Sequence, residues 1–139
     1  MTTVTLVDTG PLVALFDRRD VHHDWTVATL GSVIGPLATC EAVLTEACFL
    51  LKRQFGGAEE IFELLGRGML QIRFDLANEH ERVGQLLKRY ADLPTSLADA
   101  CLVRMAEVIP SARVMTLDRD FLVYRKLGRQ LIPLLTPFA

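Results

Sequence analysis

A short apolar run, Val4-Thr5-Leu6-Val7, stops abruptly on a carboxylate, Asp8, and Thr9-Gly10-Pro11 follow at once. With Leu6 and Val7 on successive positions, the run reads as a strand buried on both faces. Thr9 can cap, and Pro11 can open, a helix continuing through Leu12, Val13, Ala14, Leu15 and Phe16, because proline is favoured in a first helical turn. A strand that passes straight into a helix points to an α/β chain, and in open α/β sheets ligands bind beyond the carboxyl ends of the strands. Asp8 is then either a ligand-side carboxylate or one more cap for the helix.

The alternation continues. Asp20 to Gly31 carries Trp25, Val27, Ala28 and Leu30 and predicts a short amphipathic helix, and Val33-Ile34 predicts a strand before Pro36. From Thr39 to Phe55 apolar residues cover nearly the whole circumference of a helix, which must then be largely buried, with Gly56-Gly57 ending it. Ala58 to Leu65 is a further helix. Met69 to Phe74 alternates as a half-buried strand, and Asn78 with Glu81 forms a capping box for a helix through Val83, Leu86, Leu87 and Tyr90. Another mostly apolar helix follows Ser96. Arg113 to Asp118 then repeats the opening, an apolar strand ending on a carboxylate, and leads to a helix at Phe121, Leu122, Tyr124 and Leu127 that Gly128 stops. Leu131 to Leu135, with Pro133, suits an edge strand. The expectation is one domain over residues 1–139, a three-layer α/β/α sandwich about a mainly parallel sheet of about five strands.

Composition narrows the function classes. The net charge of −2 excludes the basic bulk of a general nucleic-acid binder, yet it is uneven, −5 over residues 1–87 and +3 over residues 88–139. A phosphate-facing surface should therefore draw on Lys88, Arg89, Arg104, Arg119, Arg125, Lys126 and Arg129, unless these form a solvated face. Cys40, Cys48 and Cys101 lack metal-thiolate spacing and read as small buried thiols in a reducing compartment. His22 and His23 are adjacent and His80 is remote, which argues against zinc. The start lacks the basic segment of a signal peptide and no apolar stretch reaches roughly 18 residues, so a soluble cytoplasmic protein is expected, with no membrane contact.

Four acids stand out. Asp8 and Asp118 sit at strand ends, while Glu46 and Asp99 sit in apolar helices, Glu46 among Ala42, Val43, Phe49 and Leu50. Parallel strands bring Asp8 and Asp118 to one edge of the sheet, and the flanking helices can bring Glu46 and Asp99 over it. For Asp99 a capping box with Ser96 explains the pattern as well as a catalytic placement does. At about 4 Å and an effective dielectric near 20, each like-charged pair opposes folding by roughly 4 kcal/mol, so such a cluster needs protons or a metal. Hard oxygen donors without His or Cys select Mg²⁺ or Mn²⁺ over zinc, and such ions promote hydrolysis of a phosphodiester by an activated water.

At this point the residues carry a resemblance. Val7-Asp8-Thr9-Gly10-Pro11-Leu12, the helical Thr39 with Thr45-Glu46, Leu97-Ala98-Asp99-Ala100 and Thr116-Leu117-Asp118-Arg119-Asp120-Phe121 together resemble the PIN-domain ribonucleases, most closely the VapC-type toxins of bacterial type II toxin–antitoxin systems. The resemblance spans essentially the whole chain. It implies a Mg²⁺- or Mn²⁺-dependent endoribonuclease acting on RNA, dimeric, and held inactive by a VapB-type antitoxin. It also implies an acidic quartet of Asp8, Glu46, Asp99 and Asp118, of which Asp8, Asp99 and Asp118 would hold the metal, with Thr9 and Thr116 as supporting polar groups and Asp120 sharing or replacing the role of Asp118. The weak overall basic charge departs from what an RNA-cutting enzyme is expected to show.

Two rival classes share parts of the pattern. A phosphoacceptor domain, a receiver or a haloacid-dehalogenase-type phosphatase, also places Asp at the end of its first strand. It needs a second acid nearby and a lysine after a later strand, whereas two residues past Asp8 stands Gly10 and no lysine follows the later strand ends. The other rival is a non-catalytic binding module in which the acids act only as caps and surface pairs.

Overall fold

The computed structural model describes residues 3–55 and 57–138, so Gly56, expected to help end a helix, lies outside the described residues. Strand β1 (Val4–Val7) leads into helix α1 (Thr9–Phe16), followed by α2 (His23–Leu30), β2 (Leu37–Thr39), α3 (Glu41–Gln54), α4 (Glu59–Gly66) and β3 (Leu70–Ile72). After β3 come α5 (Leu76–Arg89), α6 (Leu97–Val108) and β4 (Ala112–Met115), then a 3₁₀ turn at Arg119–Leu122, β5 (Arg125–Lys126), β6 (Gln130–Leu131) and β7 (Leu134–Leu135).

Five strands form one sheet in the order β3-β2-β1-β4-β7, with every neighbouring pair parallel. Leu6 and Val7 point to opposite faces of the sheet and both are buried, as are Val114 and Met115, so helices cover both faces. The expected α/β/α sandwich is therefore the observed one. The chain lays down β1, β2 and β3 in one direction, then returns through α5 and α6 to place β4 on the other flank of β1. That reversal between β1 and β4 is a topological switch point, where a crevice opens beyond the strand ends. Asp8 follows β1 directly, and Thr116-Leu117-Asp118 follows β4.

Several expectations shift. Val33-Ile34 is not a strand: Ile34 is 82% exposed, and after Gly35 at φ 85° the strand forms at Leu37–Thr39, where all three side chains are buried. Helix α3 starts at Glu41 rather than Thr39, because Thr39 ends the strand and its hydroxyl donates to the Val7 carbonyl at 3.0 Å. Nor is α3 buried all round, since Phe49 is 58% exposed and Glu46 is exposed beside it. Helix α5 opens before Asn78, with Asp75 accepting from the Ala77 N–H at 3.1 Å and from Asn78 Nδ2 at 2.7 Å. Of the alternating run from Met69 only Leu70 is buried, because β3 is a sheet edge. The helix expected to end at Gly128 is instead the short 3₁₀ turn and an antiparallel β5–β6 ribbon, which reverses through Leu127 at φ 51° and Gly128 at φ 86°. The edge strand after Pro133 is present as β7 against β4. Cys40 and Cys101 are buried and Cys48 is partly so. Among the described residues no helix is long and apolar enough to cross a membrane.

Candidate active site

The crevice at the switch point is a cleft of about 750 Å³ lined by Asp8, Thr9, Glu46, Asp99 and Asp118, together with His22, Ser96, Arg119 and Phe138. All four members of the expected acidic quartet thus face one space. Thr116 and Asp120 do not line it, although both touch residues that do.

Asp8 is 6% exposed and meets both readings of the opening motif at once. Its Oδ1 accepts from the Thr9 N–H at 2.8 Å, capping α1, and its Oδ2 accepts from the Thr116 hydroxyl at 2.7 Å. Thr116 in turn accepts from the Asp118 N–H at 2.9 Å, so a single hydroxyl ties the end of β4 to the end of β1. Burial pushes the Asp8 carboxyl up to about 7 despite these bonds, and the neighbouring charges of Asp99 and Asp118 add to the rise.

Asp99 also plays two parts. The capping box is complete, with the Asp99 N–H donating to Ser96 Oγ at 3.0 Å and the Ser96 N–H donating to Asp99 Oδ2 at 3.3 Å. The same Oδ2 accepts from the Tyr124 hydroxyl at 3.0 Å. Its pKa is raised, by burial first, with the charge of Asp118 contributing. Asp118 uses Oδ1 to cap the 3₁₀ turn, accepting from the Asp120 N–H at 2.8 Å. Asp120 therefore acts on the cleft through its backbone. Glu46, expected among apolar neighbours, is exposed on the rim, where Oε2 accepts from the Thr9 hydroxyl at 3.1 Å. The face of α3 that carries it points away from the core that Val43, Leu44, Ala47 and Leu51 fill.

Among the described residues no Lys, Arg or His forms an ion pair with Asp8, Glu46, Asp99 or Asp118. Asp99 Oδ1, Asp118 Oδ2 and Glu46 Oε1 accept no hydrogen bond from those residues either. Nor, among them, do any three His, Cys, Asp or Glu side chains lie close enough together to hold a metal ion between them. The open oxygens of Asp99, Asp118 and Glu46 are donors of the kind a hard divalent ion takes, and His22, on the same cleft, is the one imidazole beside them. An open arrangement suits Mg²⁺ better than zinc, since Mg²⁺ keeps several waters and takes one or two carboxylates plus substrate phosphate.

Two residues that sequence reasoning missed complete the site. Tyr124 is fully buried, its hydroxyl bridging Thr95 Oγ1 at 3.0 Å and Asp99 at 3.0 Å, and its ring packs edge-on against Tyr90 and Phe121. Its spacing from Phe121 and Leu122 gave only an apolar pattern, and no local signal marks a partner 25 residues away. Phe138 carries no motif at all.

Comparison with known proteins bears on the family and the fold. The model of the PIN domain family matches residues 5–127. A curated relative, ribonuclease VapC26 of Mycobacterium tuberculosis, is 27% identical over 126 residues, covering 88% of this chain and 93% of the relative. Among solved structures, that of M. tuberculosis VapC20, described as a sarcin-ricin loop cleaving toxin, superposes with a TM-score of 0.76 at 21% identity over 84% of this chain and 91% of that one. The last likeness bears on the fold.

Proposed function

The chain belongs to the PIN-domain family, and from that premise we propose that it is the endoribonuclease toxin of a toxin–antitoxin pair, cutting RNA with Mg²⁺ or Mn²⁺. One observation carries the reading: Asp8, Asp99 and Asp118 line a single cleft, where burial and the charge of Asp118 raise the proton affinity of Asp8 and of Asp99, and none of the three has a cationic partner among the described residues. Asp8, Asp99 and Asp118 would hold the ion, which when bound polarises the phosphodiester and acidifies the attacking water.

The chain's own contribution is orientation. Thr9 and Thr116 hold both oxygens of Asp8, the Asp120 N–H holds Asp118 Oδ1, and Ser96 with Tyr124 holds Asp99 Oδ2, so every carboxylate is oriented before substrate arrives and Asp99 and Asp118 each keep one oxygen open. Glu46, steadied by Thr9 on the rim, is placed to accept a proton from a water entering the cleft. No nucleophilic side chain is required. A VapB-type antitoxin as partner, a homodimer and a cytoplasmic setting belong to the same proposal, as does one nuclease domain across the chain; the VapC name of the curated relative supports the antitoxin, and the family match over residues 5–127 supports the single domain.

The open spacing of the acids favours one rival, a binding module without catalysis. Expression of the wild type, Asp8→Asn and Asp99→Asn, with the 5′ ends of cellular RNA sequenced, separates the two. Discrete new cuts are expected from the wild type and a loss of more than about 100-fold in both variants. Titration with Mn²⁺ is expected to raise the melting temperature of the wild type only, since the ion binds the native state. Cuts that persist in both variants would exclude this mechanism, and wild type that neither cuts nor responds to Mn²⁺ would leave the binding module.

A further inference from the structure

An acidic cleft repels the polyanion it is proposed to cut, so some cation must admit the strand. Of the residues lining the cleft, Arg119 is the one Lys or Arg. It is exposed, and although Asp118 and Asp120 flank it in sequence, it forms no ion pair with a carboxylate among the described residues. The reason is geometric. Asp118 turns its carboxylate onto the Asp120 N–H, while the Arg119 guanidinium lies over the Phe138 ring, 4.4 Å from its centroid. Phe138 is partly buried and, with Phe121, Leu122, Ile132 and Leu134, also lines a second, neighbouring cavity.

Other basic residues of the C-terminal third are committed elsewhere. Arg104 pairs with Glu79 and Glu107, Arg89 donates to the Gly128 carbonyl, and Arg125 donates to the carbonyls of Leu122, Val123 and Tyr124. Lys88, Lys126 and Arg129 do not line the cleft. The uneven charge of the sequence thus comes down, at the site, to a single side chain.

Resting on the ribonuclease reading, we propose that Arg119, held flat by Phe138, is the RNA-entry subsite. Its N–H edge takes a backbone phosphate beside the scissile one, and its outer face stacks an unpaired base. A guanidinium already laid on an aromatic ring has little orientational freedom left to lose, and both phosphate pairing and base stacking use its plane. Duplex bases present no free face to such a plate, so the ligand is a single-stranded segment.

The test is fluorescence anisotropy with a labelled single-stranded RNA in the Asp8→Asn background with chelator, over a salt series. Arg119→Ala is expected to weaken binding about tenfold and to reduce the slope of log affinity against log salt by about 0.7, the share of one phosphate contact on a single strand. Arg119→Lys should restore the slope but not the affinity, and that gap should close on an abasic strand. Phe138→Ala should weaken binding several-fold at unchanged slope. Arg119→Ala with the parent's affinity and slope overturns the subsite, as does a parent that binds no RNA, and Arg119→Lys equal to the parent overturns the stacking half. The ribonuclease reading fails separately, through a wild-type protein that binds RNA yet cuts none with Mg²⁺ or Mn²⁺.

Discussion

Asp8 and Glu107 are buried to almost the same degree, 6% and 8% exposed, and their proton affinities move in opposite directions. Around Glu107 the protein has completed the electrostatics itself. Burial alone would push its carboxyl up, but Arg82 grips both oxygens at 2.9 and 2.8 Å, the Leu127 N–H donates at 2.7 Å and Arg104 donates at 3.2 Å, which together hold it below the usual range. Glu79 closes the network on Arg104. At Asp8 the only donors among the described residues are a backbone N–H and a hydroxyl, so burial wins and the group tends to keep its proton. One buried acid ties α5, α6 and the β5–β6 ribbon together. The other is left unfinished at the point in the sheet where a ligand arrives.

The largest consequence concerns pH. A carboxyl whose folded pKa is raised to about 7 stabilises the fold below its unfolded value near 3.8, and that stabilisation is lost as pH rises towards 7. The metal-free protein should therefore weaken across that window by as much as about 4 kcal/mol from this group. Asp8→Asn, which removes the charge and keeps the shape, should flatten the slope and raise the melting temperature of the metal-free protein at neutral pH. Thermal melts in chelator over a pH series check this, and an Asp8→Asn protein less stable than wild type at neutral pH would break the contrast.

Glu107→Ala should have the reverse sign. It strands two arginines that are 29% and 24% exposed and frees the Leu127 N–H, a loss of about 3 kcal/mol, at the low end for a broken buried pair because both guanidinia can still reach water. Chemical denaturation with and without Mn²⁺ is the measurement. The loss should be the same in both, since this network does not face the cleft.

What the sequence disclosed follows the range of the interactions. Asp8, Asp99 and Asp118 were legible because each is announced by its immediate neighbours, a strand before it or a cap around it. The sheet was legible for the same reason, as Leu6, Val7, Val114 and Met115 carry the buried-strand pattern within four residues. Glu46 was picked out, but its setting was misjudged: circumference counting treats Phe49 as core, whereas α3 leaves that side open. The strand expected at Val33-Ile34 failed because Gly35 and Pro36 shift where the chain can enter the sheet. Tyr124, Phe138 and the rest of the Glu107 network beyond its local pair with Arg104 depend on partners 19 residues or more away, and nothing local marks them.

Tyr124 offers the finest test of the contrast, because it belongs to both regions. It sits three residues before Leu127, whose N–H is held by Glu107, and its hydroxyl reaches Asp99 in the cleft. Tyr124→Phe keeps the ring edge-on against Tyr90 and Phe121 and deletes only the donor. Asp99 Oδ2 then relies on the longer Ser96 N–H bond of 3.3 Å, and the carboxylate swings more freely. A lost orienting partner of a metal-holding carboxylate costs about 10-fold or more in metal affinity. Mn²⁺ affinity, read by calorimetry, should fall by about that factor, while the melting temperature in chelator changes by only a few degrees. Equal affinity in the two proteins would make Tyr124 a packing residue whose hydroxyl merely satisfies itself. Thr95→Val, which removes the other partner of the same hydroxyl, should leave the affinity nearly intact, because the Tyr124 donor then points to Asp99 alone.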